Sequence, residues 1–139
     1  MKIRHILLTM TLCSMLPISA AEEKSEHTAL GSQMESFNDA YKAFRKETDP
    51  AKGAALARDA QTAVAKALLE TPESLTKLPD GAEKSKAAAD YRKMMGQVYV
   101  SLCEVEEAFL SGKIEDVAKI VESLKAMKKE GHEKFAKDE

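Results

Sequence analysis

The sequence has 139 residues, 32% charged, 44% apolar and 5% aromatic, with no Trp and a formal charge of −2. That length suits one ordinary domain and excludes a multidomain enzyme. Lys and Arg are scattered evenly among Asp and Glu, so no basic stripe exists to neutralise phosphates, and binding to nucleic acid is unsupported. A chain rich in Ala, Glu and Lys, with only 6 Gly and 4 Pro, favours helices over many short strands.

The N-terminus reads as a secretory signal peptide over 1–21. Lys2 and Arg4 form a positive start, 6–16 an apolar run, and Ile18-Ser19-Ala20-Ala21 a small-residue exit. The run is too short to span a bilayer, and no later stretch approaches the ~20 apolar residues a transmembrane helix needs, so stable membrane association is not expected. Cleavage after Ala20 or Ala21 removes two positive charges and takes the net charge from −2 to −4. Cys13 leaves with this segment. Leu12 stands where a small residue precedes a lipidated Cys, which argues against a lipoprotein. The mature domain, 22–139, keeps a single cysteine, Cys103, and therefore no internal disulfide.

Four helices follow in chain order. Leu30, Met34, Phe37, Tyr41 and Phe44, at spacings of 4, 3, 4 and 3, place one apolar seam on a helix from about Glu26 to Glu47. Asp49-Pro50 supplies an N-cap and a first-turn proline for a second helix, with the lighter seam Leu56, Ala60, Val64, Ala67 and Leu68, stopped by Thr71-Pro72. A polar connection containing Leu78-Pro79-Asp80-Gly81 leads to the clearest seam, Tyr91, Met95, Val98, Leu102, Val105 and Phe109. Ser111-Gly112 breaks that helix, and Ile114, Val117, Ile120, Val121, Leu124, Met127 and Phe135 line the fourth. Short links make neighbours antiparallel, so the expected fold is all-α: an antiparallel up-down-up-down four-helix bundle. In that order, the start of the first helix and the end of the fourth share one end of the bundle.

Few residues could carry chemistry. The mature chain has two histidines, His27 and His132, with no nucleophile-base arrangement to suggest an enzyme. Lys24 and Lys129 stand three residues before them, so the Glu-x-x-His pairs of di-iron bundles are absent. Zinc would need more clustered ligands, and covalent haem would need Cys-x-x-Cys-His. His132 lies 11 residues after Val121 and 18 after Ile114, within about 20° of both around the helix, which points it inward. Met34 and His132 would then sit at one depth, each about 10 Å from the same bundle end. A thioether facing an imidazole is an axial pair for haem iron. A gap-filling Met and a hydrogen-bonded core His are the alternative reading of the same two residues.

Gln33-Met34-Glu35-Ser36-Phe37-Asn38-Asp39, Asp90-Tyr91-Arg92, and Gly112-Lys113 with His132 nineteen residues later and Lys134-Phe135 behind it resemble soluble periplasmic cytochrome b562 over almost the whole mature chain. The resemblance implies an antiparallel four-helix bundle holding one non-covalent haem b per chain, with a Met of the first helix and a His of the last on the iron. Met34 and His132 match those ligands. Phe37, Tyr91 and Met95 would then wall the macrocycle, although Met95 replaces an aromatic ring. Lys128 stands one turn before His132 where the familiar member has Arg, and reaches a propionate only as a point charge. Gly131 weakens the helix there by up to ~1 kcal/mol relative to Ala. The implied function is electron transfer in the periplasm, with transient redox partner proteins. The competing expectation is a haem-free periplasmic bundle that binds a protein or a metal.

The remaining candidates read as structural. Cys103, beside core Leu102, is expected to be half-buried; a monomer is expected, with a dimer through Cys103 left open. His27 shares the Met34 face but belongs to a fraying terminus. Met94 and Met127 read as packing residues, and 125–139 as a solvated face with a charged tail.

Overall fold

The computed structural model describes residues 28–136. The segment 1–21 read as a leader, Glu26, His27 and the last three residues of the tail lie outside the described residues. The architecture is a bundle of α1 (Ala29–Phe44), α2 (Pro50–Ala67), α3 (Glu73–Thr76), α4 (Ala82–Leu110) and α5 (Ile114–Phe135), with no strand among the described residues. No described helix is long and apolar enough to cross a membrane.

The helix ends follow local chemistry. Thr28 caps α1, its Oγ1 accepting the Gly31 N–H at 3.0 Å, and Asp49 caps α2 by accepting from Lys52 N at 2.9 Å, with Pro50 at the first helical position. At the end of α4, Gly112 adopts φ 68°, a left-handed conformation that glycine takes without steric penalty. Its N–H bonds to Phe109 O at 2.9 Å while Lys113 N–H reaches back to Ala108 O at 2.8 Å, satisfying the last carbonyls before α5 begins.

Two boundaries differ from the sequence reading. The connection expected to be polar loop contains α3, because Pro72 and Leu75 turn inward and are buried. On α2 the core face is made of Ala54, Ala57, Ala60, Ala63, Val64 and Ala67, whereas Leu56 and Leu68 are only partly buried. Small residues there let α2 lie close to its neighbours. The closest approach is at Gly53, where a Cβ would overlap the Phe109 ring.

Alpha2 and α4 run antiparallel: Gly53 meets Phe109, Gln61 Nε2 donates to Leu102 O at 3.2 Å and to Glu106 Oε2 at 2.7 Å, and Ala67 O accepts from Tyr91 Oη at 2.8 Å. Alpha4 and α5 are likewise antiparallel, with Met94 against Gly131 and Tyr91 against Phe135. The α1–α2, α2–α4 and α4–α5 pairs pack closely, whereas α1 and α5 approach each other much less closely. The core, dominated by fully buried Phe44, Phe109, Leu102, Leu124, Val64 and Val105, is dense toward the α4–α5 turn. The opposite end opens between α1 and α5.

Candidate functional site

That opening is a cleft of about 170 Å³. Its floor is apolar: Phe37, Val64, Tyr91, Met95 and Val98 line it, and of these Phe37, Tyr91 and Met95 are 6%, 5% and 8% exposed. Tyr91 is fixed at both ends of its ring. Its hydroxyl donates to Ala67 O at the end of α2, and its face meets Phe135 edge-on at 5.4 Å between centroids. Burial and, secondarily, the Glu70 carboxylate push the phenol up to about 12. Alpha3 completes this wall, since Ser74 Oγ donates to Phe135 O at 2.9 Å and so ties down the last turn of α5.

Met34 and His132 both line this cleft, Met34 from the second turn of α1 and His132 from the last turn of α5. Met34 is partly buried against the core. His132 is exposed, which corrects the expectation of an inward, buried imidazole. The reason is the neighbour that turn of α5 meets: Gly131, not His132, faces α4, where a Cβ would stand 3.3 Å from Met94 Sδ. His132, about 100° further round, reaches the rim on the side α1 leaves uncovered.

Lys128, one turn earlier, bridges the opening. Its Nζ donates to Asn38 Oδ1 at 2.6 Å and stands 6.0 Å from the centre of the Tyr41 ring. All six residues singled out from the sequence, Met34, Phe37, Tyr91, Met95, Lys128 and His132, therefore line one cleft. Met94, Met127 and Asn38 line it too. The first two read from spacing as packing residues, and nothing in their periodicity marks them otherwise; Asn38 sits in the motif around Met34, although its link to Lys128 joins helices 90 positions apart. Cys103 lies away from the cleft and is half-buried, with burial first and then Glu106 and Glu104 pushing its thiol up.

A flat, largely apolar cofactor with a central metal needs apolar walls, neutral donors and polar groups at the edge. The cleft supplies each: two rings and branched aliphatics below, thioether and imidazole beside them, and an ammonium at the rim. Among the described residues, no Asp or Glu lines it.

A family model for cytochrome b562 matches residues 29–136. The chain belongs to the cytochrome b562 family. That family consists of helical bundles that bind b-type haem and carry electrons, and it is not a family of enzymes. The match covers the four long helices and every residue of the cleft, so the cytochrome b562 relationship includes the candidate site as well as the scaffold. No individual curated protein matches the sequence.

Proposed function

We propose that the cleft holds one non-covalent b-type haem with Met34 and His132 on the iron, and that the protein is an exported, periplasmic electron carrier. The observation that carries this reading is the convergence of a thioether on α1 and an imidazole on α5 at one apolar cleft, within a chain of the cytochrome b562 family. Bound there, a haem would supply a one-electron couple, with Met34 and His132 as the residues that would hold its iron.

The chain's own residues set the conditions for that couple. Met34 offers a soft, neutral sulfur, which favours the reduced metal relative to a second imidazole. His132, exposed at the rim, would offer a neutral ring nitrogen. Phe37, Tyr91 and Met95 exclude water from the floor, and the Tyr91–Ala67 hydrogen bond keeps that wall from shifting. Lys128, which donates to Asn38 at the mouth of the cleft, would offer a cation to an acidic group of the bound cofactor. An exposed rim lets redox proteins dock briefly through small interfaces. The leader-like segment over 1–21 supports export.

The test is an absorption spectrum, oxidised and dithionite-reduced, after titration with haem, taken beside Met34→Ala and His132→Ala. Wild type is expected to give a low-spin, six-coordinate spectrum that becomes high-spin or disappears in each variant. Absence of saturable haem uptake would replace this reading with a haem-free periplasmic bundle that binds a protein or a metal.

A further inference from the structure

The cleft gathers soft donors beyond the proposed axial pair. All four methionines among the described residues, Met34, Met94, Met95 and Met127, line it, as does His132, the single described histidine. Among the described residues, methionine is confined to this end of the bundle. The dense half of the core uses Phe44, Leu102, Val105, Phe109 and Leu124 and contains no methionine. Met95 is buried, whereas Met34, Met94 and Met127 are partly buried and His132 is exposed, so four donors from three helices stand at or near the accessible rim.

Neutral thioethers and an imidazole form a soft set. They suit a d¹⁰ monovalent cation, whose bonding to sulfur imposes no strict geometry, and they suit hard divalent ions poorly. Among the described residues no carboxylate lines the cleft and no cluster of three His, Cys, Asp or Glu exists, and the Lys128 ammonium penalises a divalent ion more than a monovalent one. We propose that the haem-free cleft binds one Cu(I) ion, drawing its ligands from Met34, Met94, Met127 and His132. Because Met34 and His132 serve both groups, Cu(I) and haem would exclude each other.

The experiment titrates haem-free protein with Cu(I), kept reduced by ascorbate under nitrogen, against the chromophoric chelator bicinchoninate. It is run in a Cys103→Ser background so that the lone thiol cannot contribute. One equivalent of Cu(I) should be withdrawn from the chelator. Met94→Leu and Met127→Leu, which conserve volume, should each weaken that withdrawal by about tenfold or more. Both variants should keep their helical circular dichroism. Ag(I), a redox-silent substitute, should shift the Met methyl resonances of the wild type. No withdrawal in Cys103→Ser, withdrawal unchanged in both Met→Leu variants, or equal retention of Zn(II) would each overturn the proposal. Haem uptake is read separately on the same samples, so Cu(I) binding without haem uptake would defeat the electron-carrier reading and leave this one standing.

Discussion

Lys128 on α5 and Asn38 on α1 join the two helices that the rest of the bundle leaves apart, through a 2.6 Å hydrogen bond across the mouth of the cleft. Filling the cleft with haem is expected to redirect the ammonium to a propionate. Asn38→Ala should therefore lower the stability of the haem-free protein by about 1 kcal/mol, and the loaded protein by less. Urea denaturation of both forms measures this. Equal losses would mean that Lys128 keeps its amide partner when the cleft fills.

Tyr91 links the cleft wall to pH. Its phenol is held above the ordinary value of 10.0, at about 12, so the folded state favours the protonated form. The associated stability is complete below pH 10 and is lost as pH rises from there through 12. Tyr91→Phe should remove this alkaline dependence and, at neutral pH, cost about 1 kcal/mol by leaving Ala67 O without its donor. Denaturant midpoints at neutral pH and across the alkaline range separate the two effects.

Two glycines on long helices should respond oppositely to a methyl group. Gly96 has nothing within 4 Å of an added Cβ, so Gly96→Ala should stabilise by up to about 1 kcal/mol through helix propensity alone. Gly53→Ala would drive a methyl into the Phe109 ring, a side chain with 0% exposure and no room to yield, and should destabilise by about 1 to 3 kcal/mol. Thermal melts should move in opposite directions. Because Gly53 lies far from the cleft, its variant should still bind haem while folded.

Cys103 should be a slow thiol. Burial and the neighbouring Glu106 and Glu104 carboxylates disfavour the thiolate. Its reaction with a disulfide reagent at mildly alkaline pH should lag behind that of an unstructured cysteine peptide and catch up in denaturant. Equal rates in the folded and unfolded states would show that these neighbours do not control it.

Much of this molecule was legible from spacing and caps. The heptad-like run from Tyr91 to Phe109 marks the buried face of α4, and Asp49-Pro50 and Ser111-Gly112 mark helix ends by mechanisms that act within a few residues. What stayed hidden depends on neighbours. Alpha3 forms because Pro72 and Leu75 find a hydrophobic wall, which a four-residue polar-looking segment does not advertise. His132 shares the angular position of Val121 on an ideal helix, yet Val121 is covered and His132 is not, because Gly131 is the residue of that last turn that faces α4. Met94 and Met127 are two ordinary helix residues until the packing places them beside Met34 and His132.

The close fit of Gly53 under Phe109 also has a mechanical side. It fastens α2 to α4 at the end remote from the cleft, while α5 is attached mainly to α4 and tethered at its tip by the single bond from Ser74 to Phe135 O. Alpha5 is thus the least enclosed of the long helices, held to the core by Val117, Val121 and Leu124. Amide hydrogens near the exposed tip of α5 should therefore exchange with solvent well before those of α2.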